Sequence, residues 1–362
     1  MIRSLAAALL LSGCDELPED ELGEFAVSDT GGYVEVTVTV PSSPVGTMAY
    51  CGGFGDDRLG AVWTLTDPSG AVVYSGDDPD ASPFRSDFVD DLSPTVWPMT
   101  PKLPLTAGDW TVEWFIGAGT GGTVDCGAIH RTGAVSDNAV VDVEVVLVGI
   151  GLDASAAADD ASMTAAIDQL TAEWATARLT PRVTFVDFAG DVGRFEVVDI
   201  DTANDDYREL NDLLRTSNPA SDETVTFFLV SELRDGAGGV ILGLSAGPPG
   251  AAGLHGTSKS GVVVTAADLA AAPADVGKIM AHEGGHFLGL FHTTERSGDQ
   301  HDSLDDTPEC PSANDADANG RLSVAECAGL DGDNVMFWTL TDGTASLSAD
   351  QSWVLRRNPV VQ

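Results

Sequence analysis

From Tyr33 to Val40 the chain alternates, with Val34, Val36, Val38 and Val40 on one side and Glu35, Thr37 and Thr39 on the other. A period of two predicts a strand with one buried face. Ala61 to Thr66 and Ala71 to Tyr74 flank Asp67-Pro68-Ser69-Gly70, a turn sequence that predicts a hairpin. Trp110, Val112, Trp114 and Ile116 alternate again. Short strands between Gly and Pro turns predict an all-β, sandwich-like domain over residues 31–140. Its role is open at this point: spacer, binding module or pro-domain.

Near residue 140 the period changes. An apolar run from Val143 to Ile150 precedes a helix near Asp160 to Arg178, where Met163, Ile167, Leu170 and Trp174 recur at helical spacing. A strand over Arg182 to Phe188, a helix near Asp205 to Ser217 and a strand over Thr224 to Leu233 follow. A Gly/Pro-rich stretch, Gly236 to Gly261, leads to a short strand at Val262 to Thr265 and a helix from Pro273. Alternating strands and helices predict an α/β domain over residues 141–362.

Charge narrows the partners. The 362 residues include 57 acidic and 17 basic ones, a net of -40, and such a surface repels nucleic acid. It suits divalent cations or a salty or extracellular medium, and equally serves solubility alone. Residues 14–30 are acidic and aperiodic, which predicts a flexible tether. Before them, Arg3 and the apolar run Leu5 to Leu11 have the build of an export signal over residues 1–13, too short to span a bilayer.

Leu11-Ser12-Gly13-Cys14 resembles the bacterial lipobox, which implies lipidation at Cys14 and attachment to the cell envelope, on the periplasmic side or the surface. A plain secretory signal with an unrelated cysteine is the alternative. With Cys14 lipidated, four of the five cysteines remain, and an exported chain pairs them. Cys51–Cys126 and Cys310–Cys327 keep each pair within one domain. Cys51 has a second reading, as a latency thiol on the metal described next.

Residues 282–292 read His-Glu-Gly-Gly-His-Phe-Leu-Gly-Leu-Phe-His. Positions four apart share a helix face, so His282 and His286 aim two imidazoles at one point. Glu283 adjoins them, placed to reach a water on a metal without ligating the metal. If the helix ran on, His292 would stand about 9 Å past His286 and on another face. The helix therefore has to stop, and Gly289 is suited to the left-handed turn. Three neutral imidazoles and an open fourth position make a catalytic zinc site rather than a structural one.

The extended motif resembles that of the metzincin zinc peptidases. The resemblance implies a methionine turn beneath the metal, and Asp333-Asn334-Val335-Met336-Phe337-Trp338 supplies Met336. Among metzincins the pappalysin-like family is similar at His286 to Thr293, at Asp305-Asp306-Thr307-Pro308 and at the Asn-x-Met turn. Gly243 to Gly261, leading into Val262-Val263-Val264, looks like that family's upper rim, where substrate lies extended. The likeness covers about residues 140–345 and not the β-rich part. One departure concerns the oxyanion: Trp338 stands where the family usually has a tyrosine able to stabilise it, and indole has only an N–H donor.

Residues 315–326 match the twelve-residue EF-hand loop pattern. Asp315, Asp317 and Asn319 would offer side-chain oxygens, Arg321 its carbonyl, Ser323 a direct or water-mediated contact and Glu326 a bidentate carboxylate, with Gly320 at the sharp turn. An acidic surface loop is the alternative. Asp302, Asp305 and Asp306 read either as a second cation or substrate-attracting cluster or as a solvated face. His255 and His301 read as substrate contacts or surface histidines, and His130 lies in the β-rich part. The expectation is a zinc-dependent endopeptidase acting on protein or peptide substrates, with membrane attachment through lipid only. The alternatives are a catalytically weak, metalloprotease-like binding lipoprotein and a zinc hydrolase of a non-peptide bond.

Overall fold

A computed structural model describes residues 17, 19–55, 57–204, 206–236, 241–341 and 343–362. Cys14 and the export-signal reading lie outside them. The first part is antiparallel β-structure: β1 (Glu19–Val27), β2 (Gly32–Val40), β3 (Pro44–Gly52), β4 (Leu59–Thr66), β5 (Val72–Ser75), β6 (Val89–Asp90), β7 (Leu92–Trp97), β8 (Gly108–Ile116) and β9 (Gly122–Thr132). One sheet runs β1-β9-β3-β7 and a second β2-β8-β4-β5, with β6 on β4. The alternation in β2 has its cause here. Its four valines are buried in the shared core with Trp97, Trp110 and Trp114, while Glu35, Thr37 and Thr39 face solvent. The Cys51–Cys126 disulfide joins paired residues of β3 and β9 inside that core.

The acidic stretch expected to be a tether is instead the edge strand β1, paired with β9 from Glu19 opposite Ile129 to Val27 opposite Gly122. An edge strand needs backbone partners on one side only, so its carboxylates stay in water while Leu22 and Phe25 reach the core. A bulge between Glu21 and Gly23 interrupts its alternation, which is why periodicity did not reveal it.

The second part is α/β: β10 (Ala139–Val148), α1 (Ala154–Asp159), α2 (Ala161–Ala175), β11 (Leu179–Asp187), α3 (Val192–Phe195), β12 (Val197–Ile200), α4 (Arg208–Leu214), β13 (Thr224–Val230), β14 (Glu232–Asp235), β15 (Gly243–Ser245), β16 (Val262–Thr265), α5 (Pro273–Phe287) and α6 (Ala349–Leu355). The main sheet runs β11-β10-β13-β16-β15, parallel except for the terminal strand β15. Strands β13 and β16 are almost wholly buried because both faces of the sheet are covered there. Residues of α2 and α5 share the larger core on one side, and those of α4 share a smaller core on the other. Among the described residues no helix is long and apolar enough to cross a membrane.

Charged groups lock the two parts together. Asp90 accepts from Lys259 Nζ at 2.6 Å and Asn211 Nδ2 at 2.8 Å, and Asp91 from Arg215 Nη2 and Ser258 Oγ, each at 2.8 Å. Lys259 lies largely buried, so the opposite charge is what holds Asp90 below the usual carboxylate range against its own burial. These bonds fix the loop preceding Asp90 against the second domain.

Candidate metal centre

Helix α5 starts at Pro273, with Asp275 in its first turn, and carries His282, Glu283 and His286. It ends at Phe287, and Gly289 turns the chain at φ +106°, a conformation that side-chain-bearing residues resist. The chain then folds back so that His292 joins the other two. Nε2 of His282 stands 3.2 Å from Nε2 of both His286 and His292. Zinc–nitrogen bonds of 2.0–2.1 Å at tetrahedral angles separate two ligand nitrogens by about 3.3–3.4 Å.

The far side of each ring fixes its tautomer. Nδ1 of His282 lies 2.7 Å from the Val335 carbonyl, and Nδ1 of His286 lies 2.7 Å from that of Leu290. A carbonyl oxygen only accepts, so each Nδ1 carries the hydrogen and each Nε2 a lone pair. Nδ1 of His292 meets Glu295 Oε1 at 2.9 Å in the same sense. The lone pair of His282 thus faces those of His286 and His292 at 3.2 Å, which is repulsive unless a cation sits among them. Burial, reinforced by the neighbouring His292, pushes His282 down to about 4 and drives His286 well below its usual value, keeping the rings neutral. Burial lifts Glu295, but the hydrogen bond and charge of His292, together with a backbone hydrogen bond from Arg296 and the charge of His282, outweigh it and leave Glu295 below the usual range.

Burial pushes Glu283 up to about 8, with a backbone hydrogen bond from Ser245 working the other way. Its side chain packs against β15 where a Cβ on Gly243 would come within 2.7 Å of Glu283 Cγ. Met336 is fully buried beneath the helix, its sulfur beside Gly285, where an added Cβ would stand 2.5 Å away. The Met336 carbonyl accepts from Thr293 N–H at 3.0 Å, tying this turn to the residue that follows His292. Trp338 lines a cavity beside His282 and Glu283, yet its indole N–H donates to the Leu322 carbonyl at 2.8 Å.

The other sequence candidates separate. Cys51 and Cys126, like Cys310 and Cys327, are disulfide-bonded, so no Cys51 thiol reaches the metal centre. His130 is buried in the first sheets against Thr47 and Asp20. His255 sits near the Asp222 carbonyl, and His301 lies in a cavity beside His292. Asp305 pairs with Lys102, and Asp306 accepts from Ser348 and Asp350, so the proposed acidic cluster is partly spent on packing. Asp302 accepts from Thr307, but its Oδ2 and both oxygens of the fully buried Asp331 have no hydrogen-bond partner among the described residues.

Carboxylates of Asp315, Asp317 and Glu326 lie within 4.8 Å of one another, a set able to hold a cation. Asn319 directs its side chain to Asp317, and Gly320 turns at φ +75°. Glu295 was missed in the sequence. A Glu three residues beyond the last histidine of the motif was the available signal, and its meaning depends on the chain folding back.

Comparisons with known proteins add a partial likeness. No family profile and no curated protein matches the sequence. Among solved structures, metalloproteinase-II from Bacteroides fragilis aligns with a TM-score of 0.36 and 14% identity, over 65% of this chain and 62% of that one. This chain therefore spans less than two thirds of that protein's length. PirA aligns over 30% of this chain and 92% of its own, at 17% identity and a TM-score of 0.18. Scores this low leave function to the site's own geometry.

Proposed function

We propose that the protein is a zinc-dependent endopeptidase of metzincin type. One observation carries the reading: three imidazole lone pairs, each fixed by a partner on the opposite ring nitrogen, converge at zinc-ligand spacing beside a buried carboxylate. His282, His286 and His292 would hold a zinc ion, which when bound would supply an acidified water and polarise the scissile carbonyl. Glu283 takes the proton of that water and holds it on its carboxylate, and burial has already raised its proton affinity for this task. It then delivers the proton to the departing amine. The terminal strand β15 offers backbone groups along which an extended peptide can pair. Glu295 keeps the His292 ring oriented.

The same reading takes in a calcium ion at Asp315, Asp317, Asn319, Arg321 and Glu326, and export with attachment through Cys14. Incubation of the zinc-loaded chain with casein tests the activity. Cleavage that is lost both with chelator and in Glu283→Ala supports the peptidase. One bound zinc per chain without turnover of casein favours the binding protein or a hydrolase of another bond.

A further inference from the structure

The metal triad adjoins two cavities of opposite character that share no lining residue. The first, about 290 Å³, lies against His282 and Glu283 and is walled by Leu242, Ile279, Trp338 and Leu340. Its one carboxylate is Glu283, so the side chain it suits is apolar. The second, about 490 Å³, opens beside His292. One of its walls comes from the first domain, the loop around residues 79–87, and the other from residues 291–309.

This second cavity is lined by six carboxyl groups, Asp80, Asp87, Glu295, Asp299, Asp302 and Glu309. Against them stands one guanidinium, Arg85, which already pairs with Asp80 at 3.7 Å. The half-buried Phe291, with the buried Tyr74 and Phe84 among its lining, gives it apolar surface able to pack a long aliphatic stem. No three of these carboxylates converge within 4.8 Å among the described residues, so the cavity is not built as a cage for a bare ion. Spread over a roomy cleft, they match the reach of a long cationic side chain. Burial first, and then the charge of Glu295, lift Asp87 above the usual carboxylate range, with Arg85 only partly opposing them. The bonds from Asp90 and Asp91 to Lys259, Arg215, Asn211 and Ser258 hold the loop that carries Asp87 in place.

We propose that the N-terminal sheets form part of the substrate cleft, and that the cavity they share with His292 takes a lysine or arginine side chain of a peptide whose apolar residue fills the cavity beside Glu283. The inference rests on the peptidase reading and adds a substrate class to it. A peptide drawn across the triad reaches both cavities, so the favoured substrates pair an apolar residue on one side of the cleaved bond with a basic one on the other. The first domain then helps select substrate and is not merely a spacer.

Internally quenched peptides with leucine on one side of the cleavage site, and lysine, alanine or glutamate placed in turn at each position on the other, test this with the zinc-loaded full chain. At one position lysine is expected to exceed alanine about tenfold in kcat/KM, the size of one charge-assisted hydrogen bond, with glutamate poorest. The double variant Asp87→Asn/Asp299→Asn is expected to bring lysine within about threefold of alanine. In the inactive Glu283→Ala chain, fluorescence anisotropy is expected to give tighter binding of the lysine peptide, and the double variant to erase the difference. Equal rates for lysine and alanine, or a lysine preference that survives the double variant, overturn the proposal while leaving the peptidase standing. No cleavage of any peptide or of casein overturns both.

Discussion

The indole N–H of Trp338 donates to the carbonyl oxygen of Leu322 at 2.8 Å. The bond ties the wall of the cavity beside Glu283 to the acidic loop 315–326, and Leu322 N–H continues the link to the Arg296 carbonyl at 2.9 Å. Indole has a single donor, so this tryptophan has none left for a developing oxyanion. Trp338→Phe keeps the ring and loses the bond. The expected cost is about 1 kcal/mol of stability in urea denaturation, with kcat on a peptide substrate held within about threefold. A hundredfold fall in kcat at unchanged zinc content would mean that the indole reaches the reacting atoms.

Glu295 meets His292 at the ring nitrogen turned away from the other two histidines, Nδ1 at 2.9 Å, and so orients the ring. Carboxylate partners of ligand histidines typically tune metal affinity 10–100-fold. Glu295→Ala is therefore expected to weaken zinc binding by about that factor in competition with a fluorescent chelator, while far-ultraviolet circular dichroism stays that of the parent. An unaltered zinc constant would assign ring orientation to the surrounding packing instead.

The convergence of His282, His286 and His292 was legible because all three fall within residues 282–292, where helix geometry and one glycine dictate it. Strand β2 was legible for a similar reason: its period of two survives without a bulge. Strand β1 was not, since acidic side chains on an edge strand look like a solvated linker until β9 pairs with it. Asp87 was out of reach altogether. It approaches Glu295 only through the docking of one domain on the other, which depends on Asp90, Asp91, Lys259 and Arg215 rather than on any local pattern.

The loop 315–326 makes a prediction about calcium. Glu326 lies below its usual range because Ser323 and Ala316 hydrogen-bond to it, so it stays charged within 4.8 Å of Asp315 and Asp317. A divalent cation bound there would relieve that repulsion and stabilise the folded chain. At calcium a hundredfold above its dissociation constant the expected gain is about 2.7 kcal/mol. It appears as a rise in Tm in calorimetry, and Asp317→Ala and Glu326→Ala should each lose most of it. A rise that is the same in both variants would locate the calcium elsewhere.

Asp302 couples the fold to pH. Burial pushes it up to about 7, with Asp306 and Asp331 adding to the rise and hydrogen bonds from Thr307 and Leu304 only partly opposing it. In the unfolded chain it returns to its ordinary value of 3.8. Below that value both states carry the proton and Asp302 costs nothing. Between 3.8 and about 7 the folded chain still holds a proton that the unfolded chain has released, so stability falls as pH rises. Above about 7 both states are ionised and the full cost of a buried charge remains. Asp302→Asn has no proton to lose and should escape this decline. In chelator-treated protein, the difference in unfolding free energy between parent and variant is therefore expected to shift in favour of the parent as pH drops from 7.5 to 5. Taking that difference cancels the titration of the other carboxylates, which dominates the raw pH profile of so acidic a chain. A difference that does not move with pH would show Asp302 to be ionised in the folded protein throughout, its charge balanced by a cation that the chelator did not remove.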